Sequence, residues 1–197
     1  MSYVAIIAPL YGDEYDHFVP AWFDAIAALD RQPDEVILHR GEPLPGETGT
    51  CARLKNEAAA LSAADWIWTL DVDDLALPDA LTGIDDVDAD VWAMGYTGVD
   101  GEFIPDVIPN DEYLRLPTQL YPAMSAFRHI SFDSVGGFPQ IAYEDWGLWR
   151  RMARAGCTFE SSGRVHSIYR SHPLSRTATE YTHEARPAML IEMMEDA

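Results

Sequence analysis

Positive charge is what this chain has least of. Its 197 residues carry 13 Lys and Arg against 33 Asp and Glu, a formal charge of −20. Nucleic-acid binding needs clustered cations to neutralise phosphates, and docking on anionic lipid needs basic segments. The composition argues against both, although an acidic surface by itself only keeps a protein soluble. Cysteine is scarce too. Cys51 and Cys157 stand far apart, with no CxxC or metal-type spacing, as free thiols in a reducing compartment would. No run approaches the ~20 apolar residues of a membrane span. The opening MSYVAIIAPLYGDEYD lacks a basic flank, so its short apolar stretch reads as a first strand and not as an export signal. The expectation is a cytoplasmic protein with no integral membrane segment and no nucleic-acid partner. An apolar fraction of 48% and 11% aromatics predict one folded domain with a sizeable core.

What is there alternates in the manner of a parallel α/β sheet. YVAIIAPLYG is apolar and β-branched until Pro9 and Gly12 break it, a buried strand running into a loop. Phe18, Trp22, Ile26 and Leu29 then recur at helical spacing, with Val19 and Phe23 beside them. DEVILHR is a second strand, GEPLPGETG a Pro/Gly loop, residues 50 to 63 a second helix, and DWIWTLD a third strand in which Trp66 and Trp68 pack. Past Asp74 the pattern predicts a short helix at LPDALTGI, a strand at DVWAMGYTG, and a long loop with a hairpin over residues 97 to 118. A strand at QLYPAMSAF and a turn at VGGF follow. YEDWGLWRRMARAG has acidic residues first, arginines later and a glycine stop, the order a helix macrodipole favours. CTFESSGRVHSIYRSH reads as two short strands across a turn. The tail after Thr177 reads as a helix with Met189, Leu190, Met193 and Met194 on its apolar side.

One segment stands out chemically. WTLDVDD ends an apolar run in Asp71, Asp73 and Asp74, like charges that repel one another unless something positive gathers them. Ligands of open α/β sheets bind beyond the carboxyl ends of strands. Residues i and i+2 of an extended segment point the same way, so Asp71 and Asp73 can face one cation. Carboxylate oxygens suit Mg2+ or Mn2+, and such a cation would bridge the phosphates of a nucleotide. The competing reading is a solvated acidic turn in which Asp74 caps the next helix. The DxDD pattern alone does not separate the two.

Further stretches bear on that choice. LKNEAAALSAADWIWTLDVDD resembles the succession R-N-x-G, helix, L-D-x-D-D of family 2 glycosyltransferases. GGFPQIAYEDWGLWRRMARAG resembles that family's GGF…EDxxLWxRxxxxG segment, HSIYRSHPLS the strand and loop after it, and IIAPLYG its opening strand. The matches fall in the family's order and cover most of the chain. The resemblance implies a single α/β domain of the GT-A type, a mainly parallel mixed sheet flanked by helices. Residues 1–96 would form a nucleotide-sugar-binding half, 97–177 an acceptor and catalytic half, and 178–197 a helical tail. It implies an inverting transfer with Mn2+ or Mg2+ as cofactor, a nucleotide-diphosphate sugar as donor, and a hydroxyl of a glycan, protein or small molecule as acceptor.

Carried over residue by residue, the resemblance puts Asp71 near the ribose and the metal and makes Asp73 the main metal ligand. Lys55 stands where the family has Arg and would face the nucleotide. Pro9 and Tyr11 would wall the base. Asp145 would be the catalytic base, with Glu144 on the acceptor's hydroxyls, and His166 matches a third metal ligand of some relatives. Two positions depart from the pattern. The second strand ends in His39, Arg40 and Glu42 where relatives carry acidic residues, which leaves the nucleotide open, and Ala58 replaces the Gly of R-N-x-G.

Each of these residues also has a plainer use. Asp145 begins a helix, where the dipole favours its charged form, and serves equally as a cap. Arg170 either brings positive charge to a leaving phosphate or joins a surface ion pair. Trp146 offers a flat face to a sugar ring or packs in the core, whereas Trp149 and Met152 have the spacing of a buried face. His172 competes with His166 for the metal. Two other functions stand beside transfer: a module of this fold that binds nucleotide or sugar without turnover, and a nucleotidyltransferase. The Gly-rich basic loop usual in the latter is missing from APLYGDEYD.

Overall fold

An unbroken apolar run makes a strand that must be covered on both faces. The first strand, β1 (Val4–Leu10), is buried throughout: Ala5 and Ile7 enter one hydrophobic core, and Val4, Ile6, Ala8 and Leu10 enter the other. In the computed structural model, which describes residues 1–44, 47, 49–173, 175 and 189–191, β1 lies between two parallel neighbours, β2 (Glu35–Arg40) and β3 (Trp66–Thr69). The connecting helices cover opposite faces. α1 (Val19–Ala27) buries Trp22 and Ile26 in one core, and α2 (Thr50–Ala60) buries Ala52, Ala58 and Ala59 in the other. Trp66 and Trp68 are fully buried on the α1 face.

The rest of the chain adds β4 (Leu75–Ala76), β5 (Val91–Gly98), β6 (Gly101–Phe103), β7 (Ala126–Arg128) and β8 (Phe159–Ile168). The sheet order is β2-β1-β3-β7-β5-β8-β4, with β6 paired to β5. β7 runs antiparallel to both β3 and β5, while β8 runs parallel to β5, so the sheet is mixed. The later helices are α3 (Asn110–Tyr113), α4 (His129–Ser134) and α5 (Glu144–Arg154). α5 buries Leu148, Trp149 and Met152 in the same core as α2.

Three local expectations change. LPDALTGI forms turns and one 3-10 turn, Ile84–Asp86, in place of a helix. Of QLYPAMSAF only the end is a strand. Residues 119–125 stay irregular because the end of β3 holds their backbone: Trp68 Nε1 donates to the Met124 carbonyl at 2.8 Å and Thr69 Oγ1 to that of Ala123 at 2.6 Å. CTFESSGRVHSIYRSH contributes one long strand instead of two. β8 follows β5 throughout and absorbs the turn as a bulge between the pairs Ala93–Ser161 and Gly95–Val165, where Gly163 takes φ +67°. Most of the expected C-terminal helix falls outside the described residues, although 189–191 are helical and Leu190 packs on the core. No helix among the described residues is long and apolar enough to cross a membrane.

Candidate active site

The acidic segment leaves β3 as a turn, closed by Asp74 N–H donating to the Asp71 carbonyl at 3.0 Å. It is pinned from the α1 side by the Trp22 indole, which donates to the Leu70 carbonyl at 2.9 Å. Arg170, just past β8, braces it from behind. Its backbone N–H donates to Asp74 Oδ1 at 2.9 Å, and its guanidinium donates to the carbonyls of Asp73 and, at 3.2 Å, Val72. The guanidinium also lies over the Phe18 ring, 4.9 Å from its centroid. His172 Nε2 donates to Asp73 Oδ2 at 2.9 Å, with its ring against those of Tyr15 and Phe18.

The opposite wall begins at a double-glycine turn. Asn56 on α2 holds that turn through both ends of its amide: Nδ2 donates to the Phe138 carbonyl at 2.9 Å, and Oδ1 accepts the Phe138 N–H at 2.8 Å. Gly137 has φ +75°, and a Cβ there would sit 2.5 Å from Asn56 Oδ1, so only glycine fits the clamp. The turn leads into α5, whose first residues are Glu144 and Asp145. Gln119, from the irregular stretch, donates through Nε2 to Asp145 Oδ2 and at 3.0 Å to the Tyr121 carbonyl.

Lys55, the only lysine of the chain, joins the two walls. Its buried ammonium lies 3.3 Å from Glu144 Oε1 and 3.4 Å from Asp71 Oδ1. Above it is a cavity of about 340 Å³ lined by Pro9, Tyr11, Lys55, Asp71, Asp73, Glu144 and Asp145 among others. Burial raises the Asp145 carboxyl above its usual pKa, and neighbouring Glu144 adds to this, against the opposing pull of Lys55 and Gln119. Asp71 is raised as well, by burial first, with Lys55 pulling it down and Asp73 and Glu144 pushing it up. Asp74 is raised well above, by burial and then by Asp73. For Lys55 burial works against the charge, but Asp71, Cys51, Glu144 and Asp145 more than offset it and hold the ammonium well above its usual pKa.

Such a set has a surplus of negative charge, which an added cation relieves. Among the described residues no three His, Cys, Asp or Glu side chains converge as a complete metal cage. The oxygens of Asp71 and Asp73 suit a hard cation that keeps the rest of its shell for water and phosphate, as Mg2+ does. The donor set therefore fits the expected Mn2+ or Mg2+.

Three residues expected in this cavity stand elsewhere. His166 is fully buried on the other side of β8, its Nδ1 donating to the Ala80 carbonyl at 2.6 Å and its ring against Trp92; burial lowers its pKa to about 4. β8 reaches the cavity rim only beyond Ile168, so Tyr169 and His172 arrive there and His166 does not. Trp146 is 3% exposed, packed in the core with its ring edge-on to Tyr143, and does not line the cavity. Arg170 braces the acidic turn from outside the wall. Gln119 and Tyr15, which no motif marked, do line it, as does Tyr169 from within HSIYRSHPLS. At the end of β2, His39 engages Glu57 at 2.8 Å, and Arg40 engages Asp13 and Asp16.

Known structures share this fold. TarS of S. aureus, residues 1–349 in complex with UDP-GlcNAc, matches with a TM-score of 0.70 at 14% identity, over 98% of this chain and 65% of that one. The mannosyltransferase PcManGT from Pyrobaculum calidifontis, in complex with GDP-Man and Mn2+, matches with a TM-score of 0.64 at 17% identity, over 98% of this chain and 63% of that one. The chain spans less than two thirds of the length of either. Both neighbours are GT-A glycosyltransferases, and the fold here is the GT-A fold. No protein-family model matches the sequence, and no curated protein does.

Proposed function

We propose that the protein transfers a sugar from a nucleotide-diphosphate donor to an acceptor hydroxyl, with inversion and with Mn2+ or Mg2+ bound. One observation carries the reading: Asp73 and Asp145, which come from two separate sequence motifs, line a single cavity. The donors bound by the structural neighbours, UDP-GlcNAc in one and GDP-Man in the other, support the donor class. On this reading residues 1–96 form the donor half and 97–177 the acceptor half.

Tyr11 and Tyr15, with ring centroids 5.4 Å apart, and Pro9 wall the nucleotide base. Asp71 and Asp73 hold the cation, with His172 orienting Asp73. When bound, the cation supplies positive charge to the leaving diphosphate. Lys55 sets a positive charge between Asp71 and Glu144 and fixes both in place. Asp145 is the general base. As the acceptor oxygen bonds to the anomeric carbon, the bond from that carbon to the diphosphate breaks, its electron pair stays with the diphosphate, and the hydroxyl proton passes to Asp145. Attack from the face opposite the leaving group inverts the anomeric centre. Because its pKa is raised, Asp145 holds a proton better than an exposed aspartate, as a base working near neutrality should.

A thermal-shift plate of nucleoside diphosphates with and without Mn2+ tests both halves of the claim, since binding stabilises by mass action. One nucleotide should raise Tm, and should do so only with the metal present. A plate on which no nucleotide raises Tm under either condition removes the reading.

A further inference from the structure

A second cavity, of about 370 Å³, opens beside the first and meets it at Asp145, Gln119 and Tyr169. Its wall is aromatic. Tyr96 on β5 and Phe103 on β6 are paired across the hairpin, with ring centroids 5.5 Å apart, and Tyr169 stands 5.8 Å from Tyr96 at an interplanar angle of 65°. Tyr121 and Leu120 continue the surface. Asp145 is the only charged residue in the lining, and no Lys, Arg or His is part of it among the described residues.

We infer that this aromatic cavity is the acceptor subsite and that it selects an uncharged saccharide ring over an acceptor bearing phosphate or carboxylate. That it serves an acceptor rests on the transfer reading above; its preference for a neutral ring rests on the lining itself. The C–H face of a pyranose is apolar and packs on aromatic rings, and its hydroxyls need the few polar groups that Gln119 and the tyrosines provide. An anionic acceptor would meet the Asp145 carboxylate with no cation in this cavity's described lining to receive its own charge, in a chain whose net charge is −20. A ring packed on this aromatic wall beside Tyr169 would have a hydroxyl at the junction of the two cavities, where Asp145 can take its proton.

The test is saturation-transfer NMR on the full chain with maltose, cellobiose and lactose as neutral probes and glucose 6-phosphate as the anionic one, beside the thermal-shift assay. The neutral sugars should draw signal from aromatic protons and bind at least about tenfold more tightly than the phosphate. Phe103 is 39% exposed, so Phe103→Ala spares the core. It should weaken neutral-sugar binding about tenfold while the nucleotide-dependent Tm shift is retained, and Phe103→Lys should reverse the preference towards glucose 6-phosphate. A preference of the unaltered protein for the phosphate, the absence of sugar binding, or sugar binding indifferent to both variants overturns the inference. Sugar binding without any nucleotide shift leaves the neutral preference standing and removes the transfer reading. A nucleotide shift without sugar binding does the opposite.

Discussion

Two acidic pairs face each other across the cavity, made of the same functional group and held in different ways. Asp71 and Asp73 sit on a turn at the end of β3, supported from behind by Arg170 on the turn's carbonyls and by His172 on one carboxylate. Glu144 and Asp145 sit on the first turn of α5, fixed by Lys55 and Gln119 beneath a glycine turn that Asn56 clamps. A turn presents oxygens to whatever enters the cavity, and so suits a cation. A helix start holds one carboxyl in place against a single amide donor, and so suits a proton. On the transfer reading proposed above, the backbone and charges around each pair, and not the carboxylate itself, divide the two roles.

The largest effect should come from neutralising one residue in each pair. Asp145→Asn should lower kcat by roughly 10²–10⁴-fold and leave the metal-dependent nucleotide shift intact. Asp73→Asn should abolish that shift. Identical behaviour of the two variants in both assays would erase the distinction between the pairs. Next is the link between them. Lys55→Met removes the cation that Asp71 and Glu144 share, and should cost about 3 kcal/mol in urea unfolding, near the lower end for a broken buried pair because the cavity admits water.

Two smaller effects sharpen the electrostatics. Gln119 favours the charged form of Asp145 and so holds its pKa down; Gln119→Leu lets burial raise it further. The acid limb of the kcat profile should therefore move to higher pH, and an unmoved limb would separate Asp145 from the titration. Asp74 is raised well above its unfolded value. Between the two pKa values the folded state binds more protons than the unfolded one, so metal-free stability falls as pH rises through that window and the penalty is complete above the folded pKa. Asp74→Asn keeps an acceptor for the Arg170 N–H and removes the penalty. It should stabilise the metal-free protein by on the order of 1 kcal/mol at neutral pH and have no such effect in acid.

Much of the β1–β3 region could be read locally. β1, α1, β2, α2 and β3 each announce themselves through a run or a 3.6-residue period, and Asp71 and Asp73 follow directly on β3. The other side was harder. Gln119 has no pattern around it, because its stretch is held by the Trp68 and Thr69 side chains instead of by its own periodicity. His166 and His172 look alike as candidates, and the point where β8 passes the rim separates them. Trp146, next to Asp145 in sequence, points into the core because the helix must bury that side.

The sequence by itself determined which residues are acidic at a strand end and at a helix start, since periodicity and charge order along one chain set local structure. Only the tertiary structure decided that these two places share a cavity, that a lone buried lysine bridges them, and that a glutamine from an irregular segment holds Asp145. Those facts depend on contacts between residues up to 89 positions apart, as between Lys55 and Glu144, which no local pattern encodes.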